Sequence, residues 1–222
     1  MKIGIIGSGQ VGQVLAKGFK NEGHDVVLGT RNTSKPEVVK FKEETGIASG
    51  TFEEAANHGE VIVLAVKGST AKEALTLAGF ENIASKVVID ATNPTASLPP
   101  TNGVLHFFTT LEESLMEQLQ KLVPDAKFVK AFNSVGNTGM YKPALKDTPT
   151  MFICGNDEGA KQTVTQILES FGWETADMGK VEAARAIEPL CMLWCILGFT
   201  KNEWGHAFKL LKPLKVNTVD NF

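Results

Sequence analysis

Three glycines near the start of the chain, Gly7, Gly9 and Gly12, have the spacing of a loop that binds a pyrophosphate. They follow a short apolar run at residues 2–6, and apolar residues then recur at helical spacing up to Phe19. In such a strand, turn and helix, the first glycine allows the tight turn, the second lets the backbone approach the phosphates, and the third lets the helix pack closely on the strand. The helix N-terminus directs free N–H groups at the anion. The spacing therefore predicts a dinucleotide site.

The turn Thr30-Arg31-Asn32, with Lys35 close behind, carries the residues that choose between the two nicotinamide dinucleotides. A site for NAD places an acidic residue roughly 20 positions after the glycines, where its carboxylate binds the ribose hydroxyls. Here a hydroxyl, a guanidinium and an ammonium stand at that place, and each can bind a 2′-phosphate that a carboxylate would repel. The turn therefore predicts NADP(H). The competing interpretation is that Arg31 and Lys35 are ordinary solvated cations.

Four polar residues farther along the chain are candidates for the hydride-transfer end of the site. The amides of Asn93 and Asn133 can donate to a carboxamide or ring carbonyl and orient the nicotinamide, although asparagine also favours turns. His106, near a proline-rich loop, is the one histidine to test as a proton donor. Arg185 can stabilise a reduced acceptor, but Arg185 and Glu188, at i, i+3 spacing on a predicted helix, favour a simple ion pair. Asn133, Arg185 and His106 are therefore catalytic candidates, and none is assigned.

Strands and helices alternate along the chain in the order expected of a doubly wound, mostly parallel sheet of the Rossmann type. The predicted strands lie near residues 2–6, 26–28, 61–66, 87–90, 128–132, 150–155 and 173–176. Helices are predicted after Gly9 and after the N-cap at Thr51, and near residues 36–44, 71–77, 111–122, 157–171 and 181–211, the last with breaks at Pro189, Gly198 and Gly205. The sequence thus predicts an α/β fold, with an NADP-binding domain at 1–178 and a C-terminal helical extension at 179–222 packed on it.

Composition and charge argue against several classes of function. The chain has 222 residues, 43% of them hydrophobic and 21% charged, as in ordinary globular proteins. A net charge of −3 without a block of Lys or Arg argues against a nucleic-acid partner. The longest uncharged apolar run, 190–199, is shorter than the roughly 20 residues that cross a bilayer, and no signal peptide precedes the first strand. We therefore expect a cytoplasmic protein without a membrane partner, and a buried helix at 190–199.

Cys191 and Cys195 share one face of a predicted helix, an arrangement compatible with a metal or redox site. Neither histidines nor further cysteines cluster near them in the sequence, so core packing is expected and no metal site is predicted. Trp194, Trp204 and Phe208 in the same region favour a core or an interface. A homodimer is one way to cover them.

Several segments beyond the glycine turn form a pattern that extends over almost the whole chain. They lie at residues 28–32, 87–93, 129–133, 152–154 and 183–190, with Leu193-Trp194 after the last. Together they resemble the F420-dependent NADP oxidoreductase family, and the related cytosolic oxidoreductase domain of the Steap metalloreductases. Several distant segments in one order are far more specific than one glycine motif.

The resemblance implies that NADPH binds across the carboxyl edge of the sheet and passes hydride to a flavin or a deazaflavin (F420). From the motifs and the resemblance together, the residues expected at the dinucleotide are Gly7, Ser8, Gly9, Gln10, Val11 and Gly12 at the pyrophosphate, Thr30, Arg31, Asn32 and Lys35 at the 2′-phosphate, Ala65, Val66 and Lys67 at the adenosine and the central part, and Ala91, Asn93, Ala131 and Asn133 at the nicotinamide.

Two departures from the resemblance concern the acceptor side. Related sequences carry Trp-Glu-His or Arg-Glu-His where this chain has Gly68-Ser69-Thr70, so an acceptor contact from that histidine is lost. No membrane domain follows in this sequence, so a Steap-like electron path to haem is not expected.

The function expected from the sequence is hydride transfer between NADP(H) and a flavin, a deazaflavin or a similar planar small-molecule acceptor. Such a transfer needs little acid–base machinery, because the cofactors carry the redox chemistry and the protein supplies orientation. Two alternatives stay open at this point. One is an imine or carbonyl reductase of the pyrroline-carboxylate or hydroxy-acid type, which typically adds a long helical domain with a catalytic lysine. The other is a non-enzymatic NADPH-binding sensor.

Overall fold

The computed structural model describes residues 1–213, in which strands and helices alternate along the chain. The strands are β1 (Lys2–Ile6), β2 (Asp25–Gly29), β3 (Ala48–Gly50), β4 (Val61–Leu64), β5 (Val87–Asp90), β6 (Lys127–Lys130), β7 (Thr150–Gly155) and β8 (Glu174–Asp177). The helices are α1 (Gln10–Asn21), α2 (Pro36–Thr45), α3 (Phe52–His58), α4 (Ala71–Ala78), α5 (Phe80–Ile83), α6 (Leu115–Leu122), α7 (Glu158–Ser170), α8 (Ala184–Ile187) and α9 (Leu190–Lys201). Short 3-10 turns lie at Gly68–Thr70, Asn137–Gly139 and Val181–Ala183.

The strands form one sheet in the order β3-β2-β1-β4-β5-β6-β7-β8. Neighbouring strands run parallel except β6 and β7, which pair antiparallel. The chain moves outward from β1 to β3 and then returns to add β4 on the other side of β1. In open α/β sheets a crevice forms at such a reversal, outside the carboxyl ends of the strands. The predicted α/β fold with a doubly wound, mostly parallel sheet is confirmed.

Helices cover both faces of the sheet, which explains why β4 is apolar and buried at every position. On one face, α1 and α7 bury residues such as Leu15, Phe19 and Val164 against the sheet. On the other face, α3, α4, α6 and α8 bury a second group that includes Leu75 and Ile187. The two layers hold the carboxyl ends of the central strands in place.

Helix α6 begins later than predicted, at Leu115 instead of residue 111. The reason is a capping box, in which Ser114 Oγ accepts from the Glu117 N–H at 3.1 Å and the Glu117 carboxylate accepts from the Ser114 N–H at 2.7 Å. Strand β3 and helix α5 were not predicted, because three or four residues are too few for a periodic pattern. The cap predicted at Thr51 is confirmed by a capping box with Glu54.

The C-terminal helical region also differs from the prediction of a helix up to residue 211. Helix α9 ends at Lys201, where Asn202 adopts a left-handed conformation (φ 56°), and residues 202–213 are irregular. The predicted break at Pro189 is confirmed, since α8 and α9 are separate. The break predicted at Gly198 is wrong. Helix α9 continues through Gly198, whose missing side chain leaves space for the Trp204 ring, 2.2 Å from where a Cβ would stand.

The division into domains at residue 178 stays a prediction. Ala184 and Ile187, which lie beyond that boundary, are buried in the same core layer as β4 and β5. The last part of the proposed extension, residues 214–222, lies outside the described residues.

The helical stretch Val181–Lys201 is long and apolar enough to span a membrane by length and composition, with 21 residues and a mean hydropathy of 1.3. The core helix of a soluble protein passes the same test. The helix expected to be buried at 190–199 is buried on one face only. Within α9 only Trp194, Cys195 and Gly198 are buried, since the helix packs on the protein with one face.

Candidate functional site

A cleft of about 750 Å³ opens at the carboxyl ends of β1, β2, β4 and β5. Its walls come from the residues that directly follow these strands, as expected for the point where the strand order reverses. The predicted dinucleotide residues among its lining are Gly7, Ser8, Gly9, Gln10, Val11, Thr30, Arg31, Lys35, Ala65, Val66, Lys67 and Ala91. The volume lies within the usual range of small-molecule sites.

The glycine turn has the geometry that its spacing predicts. Gly7 has φ +131°, and a Cβ there would lie 2.3 Å from the Ala65 carbonyl oxygen. A Cβ on Gly12 would lie 1.9 Å from the Gly7 carbonyl oxygen, so only glycine allows α1 to pack this closely. Gly9 is different, because a Cβ there would meet no atom within 4 Å. That open space lies at the N-terminus of α1, where no side chain caps the helix, so its first-turn N–H groups fit a pyrophosphate.

The turn after β2 forms the second corner of the cleft. Thr30 is buried, and its Oγ1 accepts hydrogen bonds from Ser8 Oγ at 3.0 Å and from the Asn32 N–H at 3.3 Å. Arg31 is exposed on the cleft wall and forms no salt bridge within residues 1–213. Lys35 lies 3.9 Å from Glu37, a carboxylate that also lines the cleft. The corner therefore presents a guanidinium that is available to an anionic ligand.

Five predicted residues do not line the cleft, namely Gly12, Asn32, Asn93, Ala131 and Asn133. Gly12 brings α1 against the glycine turn, as described above. Asn32 Oδ1 accepts from the Ser34 N–H at 2.9 Å and so closes a local turn. Asn93 is bound to Asn133.

The first helical turns after β4 contribute lining residues that the sequence analysis missed. Thr70, Glu73, Ala74 and Leu77 lie at i, i+3, i+4 and i+7 spacing and form one face of the segment that continues into α4. Leu77 on this face is a large apolar residue that stays 49% exposed, a property that only the tertiary structure shows. The glycine at position 68 is required by close packing. A Cβ on Gly68 would lie 2.0 Å from the Asn93 carbonyl oxygen, so the loop leaves no space for a side chain.

Asn93 and Asn133 join the loops that follow β5 and β6. Asn93 Nδ2 donates to the Asn133 carbonyl oxygen at 2.7 Å, and Asn133 Nδ2 donates to Asn93 Oδ1 at 3.2 Å and to the Ile187 carbonyl oxygen at 3.0 Å. Asn133 Oδ1 is buried without a partner in the described part of the chain. An unpaired buried acceptor is unusual, but Asn133 does not line the cleft, so its role at the nicotinamide stays a prediction.

The backbone before Asn133 is strained. Phe132 is fully buried with φ +63°, a left-handed conformation that is uncommon for a bulky residue. Strained residues cluster at functional sites, where the surrounding structure over-determines them. Ala131, on the other side of Phe132, is fully buried in the core.

A buried ion cluster, formed by Asp90, Lys130 and Glu188, lies under these two loops. Lys130 Nζ is 2.7 Å from Asp90 Oδ2 and 2.9 Å from Glu188 Oε1, and all three side chains are almost completely buried. Burial opposes the charged form of Lys130, but the attraction of the two carboxylates outweighs it and raises the pKa of Lys130 above its ordinary value. The sequence analysis missed this cluster. The sequence feature that could have predicted it is a charged residue at the end of each of two apolar strands, β5 and β6.

Arg185 does not pair with Glu188, and the predicted i, i+3 ion pair is wrong. Glu188 is directed into the buried ion cluster, whereas the Arg185 Nε lies 3.0 Å from Glu117 Oε2 and 3.2 Å from Oε1 on α6. The hydrogen bond from Arg185 lowers the pKa of Glu117 to about 2. A catalytic role of Arg185 stays a prediction, because the structure ties its guanidinium to Glu117.

His106 is half-buried in the proline-rich loop, where its Nε2 lies 3.0 Å from Thr101 Oγ1. Its backbone carbonyl accepts from the Ala96 N–H at 2.7 Å, so the residue helps to hold the loop. Its role as a proton donor stays a prediction. Among the cysteines, Cys195 is buried and Cys191 half-buried, and residues 1–213 hold no group of three metal-ligating side chains.

Comparison with known proteins identifies relatives that cover the whole fold. The family model for coenzyme F420-dependent NADP oxidoreductases matches residues 2–94. The F420-dependent NADP reductase of Methanocaldococcus jannaschii is 28% identical, over 95% of this chain and 98% of the relative. A solved structure from Arthrobacter sp. FB24, provisionally named an F420-dependent NADP reductase, is 30% identical over 96% of this chain and 100% of that chain, with a TM-score of 0.88.

A second group of relatives is longer than this chain. The metalloreductase STEAP3 of Rattus norvegicus is 30% identical over 85% of this chain but only 36% of its own length. The chain therefore spans about a third of the metalloreductases that it matches.

Proposed function

The chain belongs to the F420-dependent NADP oxidoreductase family, and on that premise we propose that it transfers hydride between NADP(H) and a flavin, a deazaflavin or a similar planar acceptor. A relative that matches along the full chain is named an F420-dependent NADP reductase, which supports an NADP-dependent reductase. What we propose is the acceptor class and the roles of the residues around the cleft.

The observation that most supports NADP(H) as the bound dinucleotide is the position of Arg31. It lies on the cleft wall, next to buried Thr30, at the place where an NAD site carries a carboxylate. Its guanidinium has the geometry to bind a 2′-phosphate bidentately, and Lys35 adds a second positive charge. We assign the 2′-phosphate to these two residues.

The chain's own residues then have distinct tasks. The first-turn N–H groups of α1, at the open face of Gly9, bind the phosphates. Asn133 Oδ1, the unpaired acceptor, orients the carboxamide of the nicotinamide. The bound dinucleotide supplies the hydride, and the protein supplies proximity and orientation.

The surroundings of the candidate acids favour a planar hydride acceptor over an imine or a carbonyl. Reduction of an imine or a carbonyl requires a proton donor near the reacting atom. His106 already interacts with Thr101, and Lys130 is held between Asp90 and Glu188. A flavin-type ring takes the hydride without such a donor at the transferring atom.

One assay tests this proposal. NADPH oxidation is followed at a constant enzyme concentration with FMN, FAD, a deazaflavin and a panel of small imines and carbonyls. We expect turnover with at least one planar acceptor and none with the imine and carbonyl panel. Tight NADPH binding without turnover of any planar acceptor would contradict the proposal and would favour a sensor.

We also propose a cytoplasmic homodimer that works without a membrane or a nucleic-acid partner. Helix α9 exposes Leu193 and Phe199, at 55% and 47% of their surface, and a second copy would cover such apolar side chains. Light scattering on the purified protein, without detergent, measures its mass. A monomer at micromolar concentration would contradict the dimer.

A further inference from the structure

The buried ion cluster contains two carboxylates and one ammonium. Asp90 and Lys130 are fully buried and Glu188 is 2% exposed. Burying an unpaired charge costs free energy. A buried cluster with more negative than positive groups therefore requires further positive or hydrogen-bond-donating partners.

The hydrogen bonds show that both carboxylates act as acceptors only. Glu188 Oε1 and Oε2 each accept a backbone N–H at 3.0 Å, from Met116 and Leu115 at the start of α6. Asp90 Oδ1 accepts from the Thr92 N–H at 2.9 Å and from Thr92 Oγ1 at 2.6 Å. Each of these donors would compete with a carboxyl proton, and the remaining oxygen, Asp90 Oδ2, faces the Lys130 ammonium. Each carboxylate is therefore surrounded by hydrogen-bond donors and by the Lys130 ammonium.

The negative charge is only partly compensated within the protein. Arg185, which is close to Glu188 along the chain, is bound to Glu117 instead. The N-terminus of α6 supplies partial positive charge to Glu188 alone. Asp90 has the Lys130 ammonium 2.7 Å from Oδ2 and the two Thr92 donors at Oδ1. One ammonium therefore serves two carboxylates, and the cluster as a whole keeps one formal negative charge in excess.

Asp90 is also the member of the cluster that is next to the cleft. Ala91, the following residue, lines the cleft. The Lys130 ammonium donates to the Thr92 carbonyl oxygen at 3.0 Å, so the cluster holds the loop that carries Ala91 to Asn93. This is the loop to which the proposed function assigns the nicotinamide end of the dinucleotide.

We propose that the buried ion cluster favours the oxidised form of the bound dinucleotide, and so promotes hydride release from NADPH. The inference rests on the proposed function of the cleft. Hydride leaves with both electrons of its C–H bond and passes to the acceptor, so the nicotinamide ring is neutral in NADPH and positively charged in NADP⁺. Excess negative charge in a low-dielectric region therefore stabilises NADP⁺ relative to NADPH.

The test is the ratio of two dissociation constants, for NADP⁺ and for NADPH, measured by calorimetry without an acceptor. Asp90→Asn removes one charge and keeps the Oδ1 acceptor for Thr92. We expect the ratio of the NADP⁺ constant to the NADPH constant to rise roughly fivefold to tenfold, from the attraction of unit charges across several ångströms of protein. A merely structural role of Asp90 would weaken both ligands equally and leave the ratio unchanged, which would overturn the proposal.

Glu117→Gln is the matched control, because it also removes a carboxylate, but one that is paired with Arg185. Its ratio should equal that of the wild type, and a rise as large as that of Asp90→Asn would overturn the proposal. The wild type gives a second measurement that requires no variant to fold. The midpoint potential of its bound NADP⁺/NADPH couple should be lower than that of the free couple, and an equal or higher potential would also overturn the inference.

Failure of this inference is distinguishable from failure of the proposed function. If neither form of the dinucleotide binds to the wild type, the proposed function of the cleft is wrong. If both forms bind and Asp90→Asn leaves the ratio of the two dissociation constants unchanged, only the electrostatic role of the cluster is wrong.

Discussion

Asn133 Nδ2 lies 3.2 Å from Asn93 Oδ1, so the loops that follow two neighbouring strands are joined by a pair of amides. The contact leaves Asn133 Oδ1 as a buried acceptor without a partner in the described residues. Because the neighbouring Phe132 is held in a left-handed conformation, the position of Asn133 is set by the fold rather than by its own preference.

The first prediction concerns this asparagine. Asn133→Ala leaves Asn93 Oδ1 and the Ile187 carbonyl oxygen without their donor, and should lower the free energy of unfolding by about 1–3 kcal/mol. It should also lower kcat for NADPH oxidation, because the carboxamide loses its acceptor. Urea unfolding and steady-state kinetics measure the two effects. Asn57→Ala, at an exposed position of α3 away from the cleft, is the control, and an equal loss of kcat there would contradict the assignment.

The second prediction separates NADPH from NADH. Arg31→Asp removes the guanidinium from the cleft wall and adds a repulsive carboxylate, so NADPH binding should weaken by about 2 kcal/mol or more, roughly thirtyfold. NADH, which has no 2′-phosphate, should be affected little. Fluorescence titration measures both constants. The control is Lys40→Asp on the exposed face of α2, which makes the same change in net charge and should leave both dissociation constants unchanged. Equal losses of affinity for both dinucleotides in Arg31→Asp would refute the NADP(H) assignment.

The third prediction contrasts two glycines of the same turn. A Cβ at Gly9 meets no atom within 4 Å, so Gly9→Ala should keep the melting temperature and weaken NADPH binding, because the methyl group occupies the space of the phosphates. A Cβ at Gly12 would meet the Gly7 carbonyl oxygen, so Gly12→Ala should destabilise the fold by about 1–3 kcal/mol. Thermal unfolding with and without NADPH tests both. Normal NADPH affinity in Gly9→Ala would show that the pyrophosphate does not bind at the open face of Gly9.

The fourth prediction is a pH dependence of stability. The hydrogen bond from Arg185 holds the pKa of Glu117 at about 2, below its ordinary value of 4.5. A lowered pKa stabilises the folded state above the unfolded value, and that stabilisation disappears as the pH falls from 4.5 towards 2. Glu117→Gln should therefore cost about 1–2 kcal/mol at pH 7, a figure reduced for the partly exposed Arg185. Urea unfolding at pH 7 and near pH 2.5 should show the difference shrinking, and a constant difference would contradict this origin.

The sequence was sufficient for those parts of the site that are local in the chain. The glycine turn, the Thr30-Arg31 corner and the main strands each depend on residues that are close in sequence, because turn conformation and side-chain periodicity are local properties. The fold class and the cofactor followed from them. Element ends that depend on side-chain caps, such as the start of α6 at Ser114, were less accurate, since a cap competes with a periodic pattern.

Only the tertiary structure decided which charges meet. Arg185 and Glu188 are neighbours on one helical segment, yet Arg185 binds Glu117 and Glu188 binds Lys130. A buried carboxylate requires partners in three dimensions, and the strand order brings β5, β6 and α8 together regardless of their distance along the chain. The sequence by itself predicted a dinucleotide site and its preference for a 2′-phosphate, because turn and spacing are local. The packing of distant segments decided the ionic and amide contacts in the loops that follow β5 and β6.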